Sequence, residues 1–223
     1  MLYLGIDDAG RGPLIGPMYL AGVLVDAKTQ QAWKTEGVAD SKTLSDKERF
    51  RLAGLIKDEC KKYKVIESTP QEIDHAVDKG GINLNTLEAL KAAAIINELM
   101  VGIKEPVTIV IDCPSINTLA WKGTLMQFIK DQTLEILCEH KADANHPSVS
   151  AASILAKCAR EEAMHAIQKE YGATGSGYPA DPITKAFLLK SGAKYADSGI
   201  FRKSWATWKA LYPSSPEQKK LFS

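Results

Sequence analysis

The chain lacks any long apolar run. Its longest apolar stretches, such as residues 18–25 and 107–111, are far shorter than the roughly 20 residues that a membrane-spanning helix requires. The first residues also lack the basic segment followed by an apolar one that is typical of an export signal. We therefore expect neither export nor insertion into a membrane.

Cysteine is scarce and widely spaced. The four cysteines, at positions 60, 113, 138 and 158, contain no Cys-x-x-Cys pair. This spacing argues against a zinc knuckle or a disulfide framework and suits a reducing compartment. We predict a cytoplasmic protein whose cysteines are core thiols.

Neither sign of charge dominates the 223-residue chain, which carries a formal net charge of +1, but the charges are distributed unevenly. Residues 184–223 contain eight Lys and Arg and two acids, which gives this segment a net charge of +6. The other 183 residues therefore carry a net charge of −5. Aromatic residues are interleaved with these cations: Phe187, Tyr195, Phe201, Trp205, Trp208 and Tyr212. An acidic body with a basic, aromatic-rich tail indicates a polyanionic partner. A solvated basic helix would have the same composition.

Hydrophobic periodicity predicts an α/β fold. Strands are predicted at residues 2–7, 18–25, 63–68, 107–111 and 133–138, and helices at 46–62, 84–100, 119–130, 147–171, 184–191 and 203–212. The first two strands read as a hairpin, and the later strands alternate with helices, which predicts a mixed sheet flanked by helices. We divide the chain into a catalytic domain, residues 1–183, and a basic, aromatic-rich helical extension, residues 184–223.

Acidic side chains stand where predicted strands end or where a helix begins. Asp7 and Asp8 follow the first strand, Asp112 follows the fourth, and Asp143 precedes the long helix. If these positions converge, the carboxylates need cations, and hard oxygen ligands select magnesium or manganese over zinc. Two such ions could activate a water and stabilise the departing oxygen of a phosphodiester. The same acids could instead cap turns, or pair with Arg11.

Six segments, in order along the chain, resemble the signatures of the type 2 ribonucleases H (ribonuclease HII), and they are most similar to the archaeal members. They are Gly5-Ile6-Asp7-Asp8-Ala9-Gly10-Arg11-Gly12-Pro13, Asp40-Ser41-Lys42, Asn83-Leu84-Asn85, His140-Lys141-Ala142-Asp143, residues 148–157 and Gly175-Ser176-Gly177-Tyr178-Pro179. The resemblance implies a ribonuclease H-like domain with a five-stranded mixed sheet and a C-terminal helical extension. It also implies a metal-dependent endonuclease that cuts the RNA strand of RNA/DNA hybrids. In DNA, such an enzyme cuts on the 5′ side of embedded ribonucleotides, leaves 3′-hydroxyl and 5′-phosphate ends, and serves ribonucleotide excision repair.

The resemblance also implies roles for single residues. The four catalytic, metal-binding acids of the family correspond to Asp7, Asp8, Asp112 and Asp143, which would hold two Mg²⁺ or Mn²⁺ ions. Backbone groups of Gly10, Arg11 and Gly12 would read the ribose 2′-hydroxyl, and Tyr178 would stack on the next sugar unless it only covers the core. The candidate phosphate contacts are Lys42, Ser150, Ser153, Lys157, Arg202 and Lys203.

Asp8 departs from the family pattern, which has glutamate at this position. A side chain shorter by one methylene withdraws its carboxylate by about an ångström, a shift that can cost on the order of 10²-fold in rate. We expect an enzyme with an altered rate or metal preference. The alternative is a catalytically weakened protein that binds RNA/DNA hybrids.

Two other nucleotide-binding classes do not fit the sequence. An actin-like phosphotransferase needs two comparable domains and a second glycine-rich phosphate loop, which this chain lacks. A dinucleotide-binding fingerprint needs a helix after its glycines, whereas Gly16 is followed by a predicted strand. We expect a monomer that acts on RNA/DNA hybrids and ribonucleotide-containing duplexes, and contact with a replication clamp is left open.

Overall fold

The computed structural model describes residues 1–38, 44–79 and 81–213. Its strands are β1 (Leu2–Ala9), β2 (Met18–Asp26), β3 (Lys62–Ser68), β4 (Val107–Asp112) and β5 (Ile136–Glu139). Its α-helices are α1 (Ala27–Thr35), α2 (Asp46–Glu59), α3 (Pro70–Asp74), α4 (Leu84–Leu99), α5 (Thr118–Met126), α6 (Pro147–Tyr171), α7 (Pro182–Ser191) and α8 (Ala206–Leu211). A π-helical turn covers His75–Lys79, and a 3₁₀ turn covers Ala142–Ala144. Among these helices, none combines the length and the apolar character needed to cross a membrane.

The five strands form one mixed sheet in the order β3-β2-β1-β4-β5. The central strand β1 pairs antiparallel with β2 and parallel with β4, and β5 continues the parallel arrangement beside β4. Ile109, Val110 and Ile111 of β4 are at most 2% exposed, as expected for a β-branched strand covered on both faces. The predicted five-stranded mixed sheet is confirmed.

The chain divides into two compact units. The first unit comprises Met1–Ala9, Tyr19–Glu67 and Asn85–Ala159, and the second comprises Gly10–Met18, Ser68–Leu84 and Arg160–Ser223. This division differs from the predicted boundary after residue 183. In the second unit, Leu14 and Ile15 share a core with Phe187, Phe201 and Trp208, so a segment near the N-terminus packs with the C-terminal helices.

Local signals explain most helix ends. The hydroxyl of Ser45 accepts a hydrogen bond of 3.3 Å from the N–H of Glu48, which is the N-cap that starts α2. Helix α6 covers Pro147–Tyr171, the full predicted range. Helix α1 was not predicted, because Trp33 is its one buried residue and the segment has no apolar stripe.

Candidate active site

Three carboxylates converge in the first unit. Asp7, Asp112 and Asp143 each offer an oxygen atom, and these atoms all lie within 4.8 Å of one another. Asp7 and Asp143 are buried and Asp112 is half-buried. The structure therefore brings together three of the four acids that the sequence singled out.

The parallel pairing of β1 and β4 places the first two acids. Ile6 lies opposite Ile111 in the register of these strands, and Asp7 and Asp112 are the next residues along each strand. Because parallel strands run in the same direction, both side chains reach the same edge of the sheet. The sequence pattern of an apolar strand that ends in an acid predicts this juxtaposition.

A strained turn places the third acid. Asp143 lies in the 3₁₀ turn Ala142–Ala144, and the N–H of Ala142 donates a hydrogen bond of 3.3 Å to Oδ1 of Asp112. Lys141, just before the turn, has a φ of 55°, which is uncommon for a residue with a side chain. Such strain persists only where the surrounding structure imposes it, and it is common at functional sites.

Gly5 allows the start of α6 to lie directly on β1. A Cβ atom at this position would lie 2.1 Å from the carbonyl carbon of Ser148 and 2.2 Å from the backbone nitrogen of Val149. Only glycine permits this approach. The contact fixes the first turn of α6 just after the segment that carries Asp143.

The electrostatic environment of the acidic cluster disfavours the ionised form of Asp7. Burial, the charge of Asp8 and the charge of Asp112 raise the pKa of Asp7 to about 8. The hydroxyl of Ser153 and the N–H of Asp8, which donates to Oδ1 of Asp7 at 2.7 Å, oppose this rise in pKa. A divalent cation at this position would favour the ionised form of Asp7.

Asp8 lies outside the group of three oxygens. Strand β1 continues through Asp8 to Ala9, and consecutive side chains of a strand point to opposite faces of the sheet. The half-buried Asp8 still lines a narrow crevice that Asp7 and Asp112 also line. Three of the four predicted acids thus form a compact group, and Asp8 lies beside it in the same crevice.

The same crevice contains an acid that the sequence analysis missed. Glu88 of α4 is only 1% exposed and lines the crevice together with Trp121. The sequence does contain a signal for the burial of Glu88. This residue falls on the apolar stripe of the predicted helix, which begins with Leu84 and Leu87. A charged residue on such a stripe is seldom buried without a partner or a function.

The predicted recognition residues lie together in the second unit. Gly10 has a φ of +87° and starts the turn, and Gly12 is exposed. A Cβ atom on Gly12 would lie 3.4 Å from the ring of Tyr178, so ring and turn are neighbours. Tyr178 is 43% exposed, and the Arg160 guanidinium lies 5.3 Å from its ring centroid. Tyr178 therefore presents a ring to solvent beside the glycine turn.

The side chains of three predicted phosphate contacts are fully buried in the structure. Ser150 and Ser153 are 0% exposed; the hydroxyl of Ser150 donates to the carbonyl of Val38, and that of Ser153 interacts with Asp7. Arg202 is also 0% exposed, and its guanidinium donates to backbone carbonyls of residues 10, 11 and 16. These side chains shape the protein interior.

The other three predicted phosphate contacts are lysines. Lys157 is half-buried on α6, and the exposed Lys203 forms an ion pair of 3.1 Å with Asp197. Lys42, with the Asp40-Ser41-Lys42 segment, lies outside the described residues.

Comparison with known proteins agrees with this geometry. The family model described as Ribonuclease HII matches residues 4–208. Ribonuclease HII of Pyrococcus furiosus is 38% identical over 216 residues, which is 96% of this chain and 93% of the relative. Ribonuclease H2 from Pyrococcus horikoshii OT3 has a crystal structure that matches with a TM-score of 0.83 and 32% identity, over 100% of this chain and 99% of that one. The PCNA:RNase HII complex from Archaeoglobus fulgidus contains a chain that matches with a TM-score of 0.80 and 31% identity, over 92% and 95% of the two chains. The chain therefore belongs to the ribonuclease HII family and is a metal-dependent endonuclease.

Proposed function

We propose that this protein, besides hydrolysing the RNA strand of RNA/DNA hybrids, cuts duplex DNA on the 5′ side of single embedded ribonucleotides. The products would carry 3′-hydroxyl and 5′-phosphate ends. The observation that carries the proposal is the convergence of Asp7, Asp112 and Asp143 within 4.8 Å, in a chain whose family hydrolyses RNA in hybrids. The exposed ring of Tyr178 beside a glycine turn supplies the means to select a ribose.

The acidic cluster fits Mg²⁺ or Mn²⁺. Its ligand atoms are all carboxylate oxygens, and no histidine or cysteine belongs to the group among the described residues. These oxygens lie within 4.8 Å of one another, so the three carboxylates together would be able to hold such an ion. Two such ions, when bound, would supply the Lewis acidity for activating a water and stabilising the departing oxygen.

The acidic side chains of the site would bind the metal ions, and a neighbouring serine would support them. Asp7 and Asp143, which are buried, and Asp112, which is half-buried, would hold the metal ions. Ser153 keeps Asp7 more acidic than burial alone would allow. Asp8, which lines the same crevice as Asp7 and Asp112, is proposed as the fourth metal-binding acid.

Ribose selection is assigned to the second unit. The backbone of Gly10, Arg11 and Gly12 is proposed to bind the 2′-hydroxyl, because a turn with glycines lets its backbone approach a sugar closely. Tyr178 is proposed to stack on the following sugar. Lys42, Lys157 and Lys203 are proposed as phosphate contacts, since Lys binds phosphate as a point charge.

The test is a nicking assay on a DNA duplex that contains one ribonucleotide. The native chain is expected to cut 5′ of the ribonucleotide with Mg²⁺ or Mn²⁺ and to lose this activity with a chelator. An all-DNA duplex of the same sequence is the matched control and is expected to remain intact. Binding to hybrids without any cleavage would instead support the weakened, hybrid-binding alternative.

PCNA is a proposed partner. The Archaeoglobus fulgidus relative was solved in a PCNA:RNase HII complex. Size-exclusion chromatography with light scattering, with and without PCNA, tests this proposal together with the predicted monomer. A single monomer peak whose position does not change when PCNA is added would contradict the proposal that PCNA binds this protein.

A further inference from the structure

Arg202 is a buried cation that binds the backbone of the glycine turn. Its side chain is 0% exposed, and all three nitrogens of its guanidinium donate to backbone carbonyls. Nη2 donates to Gly10 at 2.6 Å, Nη1 to Arg11 at 2.8 Å and Nε to Gly16 at 3.0 Å. Burying a cation is costly, and these carbonyl dipoles offset part of that cost.

Trp205 adds a fourth hydrogen bond to the same turn. Its indole Nε1–H donates to the carbonyl of Gly12 at 3.2 Å, and the guanidinium of Arg202 lies 5.1 Å from its ring centroid. Two side chains that are three residues apart therefore bind the carbonyls of Gly10, Arg11 and Gly12, and also that of Gly16.

The backbone brings these side chains to the turn. The N–H of Arg202 donates to the carbonyl of Leu14 at 2.9 Å, and the N–H of Gly16 donates to that of Ile200 at 2.9 Å. Ile15 and Phe201 form a β-bridge between the same two segments. All these residues belong to the second unit, so this arrangement is internal to that unit.

Binding the carbonyls fixes the direction of the N–H groups. In a trans peptide the C=O of one residue and the N–H of the next point in opposite directions, and the described chain contains no cis peptide. When Arg202 binds the carbonyls of Gly10 and Arg11, the N–H groups of Arg11 and Gly12 are directed away from it. Gly10, with its φ of +87°, supplies the conformation that this requires.

We propose that Arg202 is a positioning residue for ribose selection: it orients the N–H groups of Arg11 and Gly12 toward the 2′-hydroxyl without touching substrate. Trp205 supports it by holding the end of the same turn at the carbonyl of Gly12. This inference rests on the proposed function of the glycine turn. It replaces the phosphate contact that the sequence suggested for Arg202, and it gives its charge a role inside the protein.

The test compares Arg202→Lys and Trp205→Phe with the native chain and with Lys209→Gln, which removes a half-buried cation of the same unit that pairs with Asp78. The readouts are kcat and KM on the single-ribonucleotide duplex and the inhibition constant of the all-DNA duplex. Arg202→Lys loses the guanidinium fork, and we expect its KM to rise by about 10- to 100-fold with little change in kcat. Trp205→Phe loses one hydrogen bond, and we expect its KM to rise by about 2- to 10-fold.

In Arg202→Lys and Trp205→Phe, the preference for the ribonucleotide duplex over the all-DNA duplex is expected to fall. In Lys209→Gln, this preference is expected to equal that of the native chain. A purely structural role would lower the amount of active enzyme but leave KM and this preference unchanged, which would overturn the inference. If Arg202→Lys fails to fold by circular dichroism, Trp205→Phe decides the result alone. A native chain that shows no ribonucleotide preference would count against the proposed function instead.

Discussion

The N–H of Ala142 donates a hydrogen bond to the carboxylate of Asp112 across 3.3 Å. Ala142 directly precedes Asp143, so one acid of the cluster holds the backbone that carries another. Asp112 consequently has two functions, since it supports the turn and supplies negative charge to the site. A substitution that keeps one function and removes the other can separate them.

Asp112→Asn is expected to reduce cleavage strongly without harming the fold. The amide oxygen can still accept the hydrogen bond from Ala142, and the loss of one negative charge near Asp7 removes a repulsion. We expect activity to fall by about 10²- to 10³-fold, the magnitude for loss of a group that stabilises developing charge. Nicking assays and thermal melting measure the two effects. Glu135→Gln, at an exposed acid before β5, is the control and should cut normally; an Asp112→Asn variant that cuts as fast as this control would contradict the assignment.

The sequence predicts some of these acids better than others, for physical reasons. Asp112 follows a β-branched run that can only be a buried strand, so the end of β4 was predictable. Asp8 was grouped with Asp7 because the first strand was predicted to end at residue 7. It continues to Ala9, and Asp8 lies outside the group of three oxygens while lining the same crevice. The end of a strand can be misplaced by one or two residues when it is predicted from sequence.

The burial of Ser150, Ser153 and Arg202 could not be predicted from the sequence, for a common reason. Burial of a polar side chain depends on partners that are distant in sequence, such as Val38 for Ser150 and Gly10 for Arg202. Local patterns do not contain these partners. Arginine and serine are mostly exposed in proteins, so the surface interpretation was the better prediction from the sequence alone.

Asp8→Glu is expected to increase Mg²⁺-dependent cleavage. The added methylene extends the carboxylate by about an ångström toward the cluster, and a correction of that size can restore up to about 10²-fold in rate. Cleavage is measured against titrated Mg²⁺ and Mn²⁺, and we expect the native chain to favour Mn²⁺ more strongly than the variant does. Asp8→Asn, which keeps the length and removes the charge, should be slower than both. Identical metal titrations for Asp8→Glu and the native chain would show that the shorter acid has no effect.

The raised pKa of Asp7 predicts how the metal-free protein responds to pH. Burial and the neighbouring charges lift this pKa from its ordinary 3.8 to about 8, so the folded protein holds a proton that the unfolded chain releases. Its contribution to stability is full below about pH 4 and is lost as the pH rises toward about 8. Melting temperatures measured over this range should fall with pH in the native chain, and the fall should be smaller in Asp7→Asn.

The same titration predicts a pH-dependent response to metal. A divalent ion needs the ionised form of Asp7, so binding competes with the proton and becomes tighter as the pH approaches about 8. Added Mg²⁺ or Mn²⁺ should therefore raise the melting temperature more at about pH 8 than at about pH 6. Calorimetry in buffers of different ionisation enthalpy should detect proton release at the lower pH. A metal effect that is equal at both pH values would contradict this assignment.

Gly5→Ala is expected to destabilise the protein and to slow cleavage. The new Cβ would lie 2.1 Å from the backbone of Ser148, so β1 and α6 must separate, at a cost of about 1–3 kcal/mol or more. Gly54→Ala is the matched control, because Gly54 lies inside α2 with open space around its Cα. That substitution should stabilise by about 0.5–1 kcal/mol. Urea unfolding gives both values, and equal effects of the two substitutions would show that the contact at Gly5 is unimportant.

Tyr178→Ala is expected to weaken substrate binding, whereas Tyr178→Phe is expected to retain most of it. The ring of Tyr178 is 43% exposed beside Gly12 and lies over the guanidinium of Arg160, so it has one face available for stacking. Loss of a ring–base stack typically costs about 1–3 kcal/mol, and a ring–sugar contact of the same order would raise KM by about 5- to 150-fold. Phe keeps the ring and removes only the hydroxyl, so its KM should stay within a few-fold of native. Steady-state kinetics on the single-ribonucleotide duplex measure both values. If the two variants lose binding equally, the hydroxyl carries the interaction, and if neither loses binding, Tyr178 only covers the core.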